Sequence, residues 1–235
     1  ICIADAINDY FQSEKGRVLV TYGAISVSID TMRQISNLSS GNTGKFIASS
    51  LAKSGYTVEV LHSTSSQAAD GCNNLSVEDF RDLQSKLNSK LEIQKYSAVL
   101  MLAAIPDYAP LSVELGEQSF SIQDLQNTKL PSSNSQSMTI HLGRTPKLID
   151  NIKLQQQTTL VGFKFTAEES EGLDAVQSLI SHSKADYVFH NWKSGISETS
   201  HKFCLYDSSS KLLARGANKT ELTASVKSII KENDQ

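Results

Sequence analysis

The feature that most constrains this fold is a set of short apolar runs separated by amphipathic segments. Residues 18–22, 56–61 and 98–105 are rich in Val, Leu and other apolar residues, which is typical of parallel strands buried on both faces. Residues 44–54 carry apolar side chains at helical spacing, and Gly55 is placed to end that helix. Strands and helices in this order form right-handed βαβ units. The sequence therefore predicts an α/β fold: a Rossmann-like open sheet, mostly parallel, with helices on both faces.

Local signals predict the elements along the rest of the chain. Ser76 and Asp79 form a capping-box-like pair before Phe80, which predicts a helix beginning at Ser76. Pro146 is favourable in a first helical turn, because its missing N–H costs nothing there. The remaining predictions are strands at 138–142, 160–165 and 187–190, helices from Pro146, over 171–183 and from Thr220, and a hairpin of 203–206 with 212–215.

Residues 106–136 interrupt this rhythm. They contain Pro106, Pro110 and Pro131, together with a run of Ser, Asn and Gln around Lys129. The composition predicts a long, partly mobile loop. Loops of this length in a compact domain are usually functional lids or disordered inserts, and the sequence leaves both interpretations open.

The composition is that of an ordinary soluble globular protein. Of 235 residues, 39% are hydrophobic and 20% are charged, and we predict one domain over 17–235 after an N-terminal extension at 1–16. A net charge of -3 disfavours nucleic acid as the main partner. Residues 1–11 lack the basic start of a signal peptide and the length of a membrane span, so no membrane partner is predicted.

The cysteines and histidines indicate neither a disulfide framework nor a metal site. Cys2, Cys72 and Cys204 are widely spaced and contain no CxxC pair, which fits a reducing, cytoplasmic location. The five histidines, at 62, 141, 182, 190 and 201, form no short metal-ligand pattern. We expect them to be surface or structural residues.

The most informative segment is the loop between the first strand and the first helix, residues 33–44. A ligand of an α/β sheet binds at the carboxyl end of a strand, where the amides of a helix N-terminus suit phosphate. The loop is not a P-loop, because Ser39 stands where the pattern needs Gly and Phe46 where it needs Ser or Thr. The dinucleotide-binding pattern G-x-G-x-x-G is absent as well. Ligand binding and a simple polar turn are about equally favoured by spacing alone.

The same loop resembles the signature of a known family. Its pattern is Arg33-x-Ile-Ser-Asn37-x-Ser-Ser-Gly41-x-x-Gly44, which is similar to that of the phosphopantothenate–cysteine ligases, also called phosphopantothenoylcysteine synthetases. Further segments match the family in the same order. They are residues 18–23, Ala103-Ala104-Ile-Pro-Asp107, Lys129-Leu-Pro-Ser, Val161-Gly-Phe163-Lys164, and Asp186 to Asn191.

The resemblance implies a reaction and its partners. It implies a ligase of coenzyme A biosynthesis that joins 4'-phosphopantothenate to L-cysteine through an acyl-nucleotidylate, releasing pyrophosphate. The nucleoside triphosphate is predicted to be CTP rather than ATP, with Mg²⁺ bridging its phosphates. A homodimer is implied. No counterpart of the family's flavin-dependent decarboxylase half is found, so a stand-alone ligase is expected.

The resemblance also implies site residues, each with a simpler structural alternative. Asn37, Lys129 and Arg33 are the predicted catalytic group, in which Asn37 stabilises an oxyanion and Lys129 lies on a flap over the phosphates. Asn37 also contacts phosphopantothenate, with Ala103, Ala104 and Asp107. The predicted nucleotide-binding residues are Gly23, Ser39, Gly41, Gly44, Phe163, Lys164 and Asn191, and no metal ligands are assigned. The alternatives are a loop cap for Asn37 and Asn191, a turn for Asp107 and core packing for Phe163.

Two departures from the family pattern keep other functions open. The family's Gly-Gly-Thr after the first strand is Gly23-Ala24-Ile25 here, so a threonine contact to phosphate is lost or replaced. The flap motif carries only Lys129, where the family often has several lysines. The alternatives are a nucleotide-dependent oxidoreductase of Rossmann-like fold, which the missing glycine pattern disfavours, and a non-catalytic nucleotide-binding module.

Overall fold

The structure, a computed structural model, describes residues 15–125, 127–131 and 136–233. The strands are β1 Lys15–Tyr22, β2 Ser26–Ser28, β3 Gln34–Ser36, β4 Tyr56–Ser63, β5 Asn73–Val77, β6 Ala98–Met101, β7 Tyr108–Leu115, β8 Gln118–Ser121, β9 Met138–Arg144, β10 Thr159–Thr166, β11 Tyr187–Trp192, β12 Phe203–Asp207 and β13 Leu212–Gly216. The α-helices are α1 Asn42–Lys53, α2 Phe80–Ile93, α3 Ile122–Leu125, α4 Ile152–Gln155, α5 Gly172–Ser183 and α6 Lys219–Asn233.

The central sheet has eight strands in the order β13-β12-β11-β10-β6-β1-β4-β5. Its neighbours from β5 to β11 pair in parallel, whereas β12 and β13 add an antiparallel edge. The predicted α/β fold with a mostly parallel sheet is confirmed. The chain passes from β1 to β4 on one side and later returns to β6 on the other. This reversal leaves a crevice at the carboxyl ends of β1 and β6, which is where open α/β sheets bind ligands.

Helices cover both faces of the sheet, because successive strand residues point to opposite sides. Leu19 packs into a core with residues of α2 and α5, while its neighbours Val18 and Val20 pack into a second core with α1 and α6. All three are fully buried. The continuous apolar run of β1 is therefore explained by burial on both faces.

The first helix ends as predicted. Gly55 follows α1 with a φ of 90°, and its N–H donates to the carbonyl of Ala52 at 3.0 Å. A positive φ is the conformation that glycine adopts without the steric cost of a side chain. The end of α1 is thus determined by a local signal.

The prediction that a helix begins at Ser76 is wrong. Ser76 belongs to β5, which pairs in parallel with β4 at the edge of the sheet. The helix begins at Phe80, and the carboxylate of Asp79 accepts a hydrogen bond from the N–H of Asp82 at 2.9 Å. The backbone of Ser76 pairs with His62 of β4, and such pairing between strands is not visible in the local spacing of residues. The N-cap residue is Asp79, three residues after the predicted start at Ser76.

The prediction of a long loop at 106–136 is also wrong for most of that segment. β7 pairs with β8 and β9 in a separate antiparallel sheet of order β8-β7-β9. Gly116, with a φ of 63°, forms the turn between β7 and β8. The buried residues Val113, Leu125 and Leu130 pack with Ile29 in a third small core. Residues 126 and 132–135 of the predicted loop lie outside the described residues.

Two other elements are shorter than predicted. The strand at 98–105 ends at Met101, and the segment after Pro146 forms a 3-10 turn at Leu148–Asn151 before the short α4. Within the described ranges, no helix combines the length and the apolar character needed to cross a membrane.

Candidate active site

The loop after β1 packs closely against serine hydroxyls. Gly23 and Gly41 have φ values of 97° and 73°. A Cβ atom on either would lie 2.4 Å from the Oγ of Ser66, and one on Gly23 would also lie 2.3 Å from the Oγ of Ser63. Ser66 donates to the carbonyl of Ser40 at 3.3 Å. The two glycines are therefore required by the φ values and by close approach to the end of β4.

The N-terminus of α1 faces the same region. Gly41 is its N-cap residue and supplies no side-chain cap, and the first turn contains no acidic residue. Gly44 lies against β1, where a Cβ atom would come within 2.3 Å of the Cβ of Tyr22. The N–H groups of Gly41 and Asn42 donate to the hydroxyls of Ser39 and Ser40 at 3.3 and 3.4 Å. The first-turn N–H groups and the positive end of the helix dipole suit an anionic ligand.

The loops after β1 and β6 are joined by backbone hydrogen bonds. Ala104 donates to the carbonyl of Gly23 at 2.8 Å and accepts from the N–H of Ile25 at 3.1 Å. The N–H of Ala103 donates to the Oγ1 of Thr21 at 3.3 Å. The structure thus brings Gly23 together with the predicted phosphopantothenate residues Ala103 and Ala104.

Asn37 joins this group through its side chain. Its Nδ2 donates to the carbonyl of Ile105 at 3.0 Å, and the residue is exposed. A side-chain amide nitrogen carries two hydrogens, so one is used by Ile105 and the second can serve a ligand. This hydrogen bond is what a loop cap would make, and the catalytic role of Asn37 remains a prediction.

Asp107 lies at the exposed end of the same loop. Its carboxylate forms an ion pair with the Nζ of Lys147, and its carbonyl accepts from the N–H of Thr145 at 2.9 Å. Lys147 was not among the predicted site residues. It places a positive charge beside the carboxylate that is predicted to bind phosphopantothenate.

Arg33 and Lys129 are brought together elsewhere, around the buried carboxylate of Asp30. Asp30 forms an ion pair with Arg33 and accepts from the N–H of Leu130, the residue after Lys129, at 3.0 Å. Burial alone raises the pKa of Asp30, but hydrogen bonds from Leu130, Met32 and Arg33 and the charge of Arg33 outweigh it and hold the pKa below its ordinary value.

The predicted catalytic residues therefore form two groups. β3 runs from Arg33 towards Asn37, and four residue steps of extended chain span about 13 Å. Arg33 and Lys129 lie at the turn of the β2–β3 hairpin, and Asn37 lies at its open end with the β6 loop. The hairpin positions both groups.

The remaining predicted nucleotide residues lie on β10 and β11. Phe163 stacks on Phe189, with ring centroids 5.1 Å apart, and packs at the edge of the second core. Lys164 is partly buried beside it in the strand. The Nδ2 of Asn191 donates to the carbonyl of Lys202 at 2.6 Å. Core packing for Phe163 and a loop cap for Asn191 therefore stay as alternatives to nucleotide binding.

Comparison with known sequences places the chain in a family. The profile described as DNA/pantothenate metabolism flavoprotein C-terminal domain matches residues 13–233. The chain belongs to this family. The family resemblance carried by residues 33–44 is thereby confirmed.

The chain is similar in sequence to proteins named coenzyme A biosynthesis bifunctional protein CoaBC. The one from Thermococcus kodakarensis is 33% identical over 181 residues, 76% of this chain and 41% of that protein. The one from Methanocaldococcus jannaschii is 25% identical over 193 residues, 80% of this chain and 43% of that protein. The chain spans less than half the length of these curated relatives.

Solved structures of other proteins share the fold. The DNA/pantothenate metabolism flavoprotein from Streptococcus pneumoniae superimposes with a TM-score of 0.80 and 24% identity, covering 92% of this chain and 99% of that one. A Cab2 variant in complex with phosphopantothenate-cysteine gives a TM-score of 0.75 and 15% identity, covering 98% of this chain and 94% of that one. At these identities the likeness establishes the fold.

Four residues that shape the candidate site were not predicted from the sequence: Asp30, Ser63, Ser66 and Lys147. The serines had a usable signal, because a hydroxyl-rich run directly follows the strand that becomes β4. Asp30 and Lys147 had none, because the contacts that link them to other segments, with Leu130 and Asp107 respectively, join residues distant in sequence. Their importance follows only from three-dimensional contacts.

A cleft of about 270 Å³ borders the Asp30 turn rather than the Gly41 loop. It lies between residues 27–31, residues 79–81 and Pro110. The Gly41 loop stays the predicted phosphate site, since it presents backbone N–H groups and a helix N-terminus. Across the described ranges, no group of three or more His, Cys, Asp or Glu residues is arranged to hold a metal ion.

Proposed function

We propose that this chain is a phosphopantothenate–cysteine ligase that uses a nucleoside triphosphate, with CTP favoured over ATP. The observation that carries the proposal is the meeting of Asn37, Gly23 and Ala104 at the carboxyl ends of β1 and β6, next to the N-terminus of α1. This arrangement offers phosphate-binding N–H groups and a neutral amide donor in one place. The CoaBC proteins to which the chain is similar, named for coenzyme A biosynthesis, support the substrate assignment.

The reaction has two steps. In the first, a carboxylate oxygen of phosphopantothenate attacks the α-phosphorus of the nucleotide, and the bond to the β-phosphate breaks to release pyrophosphate. In the second, the cysteine amine attacks the acyl carbon of the nucleotidylate. The resulting tetrahedral oxyanion collapses, the nucleoside monophosphate leaves and the amine loses its proton. Each step concentrates negative charge on oxygen, so the protein assists by placing hydrogen-bond donors there.

Each predicted residue has a role in this proposal. The second amide hydrogen of Asn37 donates to the acyl oxygen, and Lys129 neutralises phosphate oxygens as a point charge. Phosphopantothenate lies along Ala103, Ala104 and Asp107. Arg33 supports the loop geometry, while the nucleotide contacts Gly23, Ser39, Gly41, Gly44, Phe163, Lys164 and Asn191.

A divalent cation fits this scheme only as a partner of the nucleotide. The described residues present no carboxylate cluster for it, and Mg²⁺ commonly takes most of its ligands from substrate phosphates and water. Bound there, it would supply charge neutralisation on the phosphates. A homodimer and a cytoplasmic location are also part of the proposal. The location is supported by the free thiols of Cys72 and Cys204.

Pyrophosphate release tests the proposal. The chain is incubated with phosphopantothenate, Mg²⁺ and one of CTP, ATP, GTP or UTP, with and without cysteine. CTP is expected to support the fastest release, and multiple turnovers are expected to require cysteine. Inactivity with all four nucleotides would refute the ligase assignment. Nucleotide binding without pyrophosphate release would instead identify a non-catalytic binding module.

A further inference from the structure

The turn between β2 and β3 contains a carboxylate that is fully enclosed. The side chain of Asp30 has no solvent exposure, whereas its ion-pair partner Arg33 retains 34%. Burying a charge is costly unless it is paired and hydrogen-bonded. Asp30 meets that condition with four donors. They are the backbone N–H groups of Met32, Arg33 and Leu130 and the guanidinium of Arg33.

The two carboxylate oxygens of Asp30 accept hydrogen bonds from different donors. Oδ1 accepts from the N–H groups of Met32 and Arg33, each at 2.8 Å, which closes the local turn. Oδ2 accepts from the guanidinium of Arg33 and from the N–H of Leu130 at 3.0 Å. A neutral Asn has one acceptor oxygen and one donor nitrogen, so it can close the turn but cannot serve both sets of donors. Compared with asparagine, aspartate has a second acceptor oxygen, which here serves Arg33 and Leu130.

The backbone is held on both sides of Lys129. Before it, the carbonyl of Thr128 accepts from the N–H of Thr31 at 3.3 Å. After it, Leu130 is 1% exposed and packs with Ile29 in the third core. Lys129 itself is exposed. The segment is therefore fixed while the ammonium group stays available to a ligand.

We infer that Asp30 is a positioning residue of the ligase reaction. One of its carboxylate oxygens holds both the backbone N–H of Leu130 and the guanidinium of Arg33, and this fixes Lys129 and Arg33 for the nucleotide. This inference rests on the proposed function for its catalytic part. Its structural part, the attachment of residues 128–130 to the β2–β3 turn, is independent of any activity. The two parts are tested separately.

Limited trypsin digestion tests the attachment. Trypsin cleaves after Lys129, and cleavage of a folded protein follows the population of the locally open state when reclosing is fast. In Asp30→Asn the turn remains but the donors at Oδ2 face an amide N–H₂. The rate of cleavage at this bond, measured by mass spectrometry, is expected to rise about 10- to 100-fold, since a hydrogen bond to a charged acceptor is lost.

Asp207→Asn is the matched control. Asp207 also closes a local turn, accepting from the N–H groups of Ser209 and Lys211 at 2.9 and 3.0 Å, but it is the last residue of β12, at the turn to β13. Its substitution is expected to leave cleavage after Lys129 unchanged. Leu130→Ala removes the apolar part of the same attachment and is expected to accelerate cleavage as Asp30→Asn does. Unchanged cleavage in Asp30→Asn would overturn the inference, and faster cleavage in Leu130→Ala shows that the assay detects a loosened segment.

A kinetic cycle tests the catalytic part. Asp30→Asn is expected to lower kcat for pyrophosphate release about 10- to 100-fold. The same substitution is expected to cost less than about threefold when Lys129 and Arg33 are already alanine, because residues that act through one another are not additive. Equal losses in both backgrounds would show a general structural effect and overturn the positioning role. Inactivity of the unmodified chain with every nucleotide would refute the proposed function, and the digestion would still decide the attachment.

Discussion

Replacement of Asn37 separates a catalytic residue from a loop cap, because the two roles predict losses of different size. Among the described residues, the side chain of Asn37 makes one hydrogen bond, from Nδ2 to the carbonyl of Ile105, at an exposed position. A neutral hydrogen bond contributes about 0.5–1.5 kcal/mol to stability, with exposed ones at the low end. In a chain of this size, 1 kcal/mol shifts Tm by about 2–4 °C. Asn37→Ala is therefore expected to lower Tm by no more than about 4 °C.

The loss of rate should be far larger. Removing one preorganised oxyanion donor typically costs about 10²–10³ in kcat, which is about 2.7–4 kcal/mol of transition-state stabilisation. Amide formation by Asn37→Ala under saturating substrates is expected to fall by that factor, with nucleotide affinity close to that of the unmodified chain. Asn37→Asp should be at least as slow, since its carboxylate faces both the Ile105 carbonyl and the developing negative charge.

Asn88→Ala serves as the control for this assay. Asn88 is a partly exposed asparagine on α2 whose Oδ1 accepts one hydrogen bond from Gln155 at 3.1 Å, so its loss removes a comparable contact far from the site. Its rate should match that of the unmodified chain. If the rates of amide formation by Asn37→Ala and Asn37→Asp also match that of the unmodified chain, Asn37 is a loop cap and the catalytic assignment is wrong.

Three further outcomes are expected. Lys129→Ala should lower turnover strongly yet leave Tm almost unchanged, because the side chain is exposed; an unaltered turnover would remove Lys129 from the site. Gly44→Ala should lower Tm, although alanine favours helices, because its Cβ would lie 2.3 Å from that of the buried Tyr22; a raised Tm would contradict this. Burial favours the neutral form of Glu59, but hydrogen bonds led by that from Lys90 hold its pKa below the ordinary 4.5. Stability should therefore fall as the pH drops below about 4.5, and urea titrations should show a shallower acid loss in Glu59→Gln.

The sheet and most helices could be predicted because their signals are local. The apolar run of β1 and the end of α1 at Gly55 depend on residues that are close in sequence. The β2–β3 hairpin was missed since its strands have three residues each, too few to show an alternating pattern. The strand predicted at 138–142 is β9, but β7 and β8 were missed because the prolines and polar residues of that segment resemble a loop, and the β7–β9 pairing joins segments far apart in sequence.

The candidate site shows the same division. Gly41 and Gly44 were predicted from the family's loop pattern and Gly23 from its glycine turn after the first strand, but the physical reasons for these glycines are the hydroxyls of Ser63 and Ser66 and the side chain of Tyr22. These contacts join different strands and helices. Asp30 gave no signal, since its contact with Leu130 spans 100 residues.

The division of the site into two groups has a measurable consequence. Asn37 lies about 13 Å from Arg33 by the rise of an extended strand, and Lys129 lies near the Arg33 end of the hairpin, next to Leu130, which donates to Asp30. Asn37 and Lys129 share no partner among the described contacts. Free-energy effects of residues this far apart usually add to within about 0.5 kcal/mol. The double variant Asn37→Ala with Lys129→Ala should therefore lose the product of the two single rate factors. Asp30→Asn combined with Lys129→Ala should lose less than the product, because those residues act through one attachment. If the first pair proves strongly non-additive, the two groups act on the nucleotide as one unit, and the distance along the hairpin does not separate their roles.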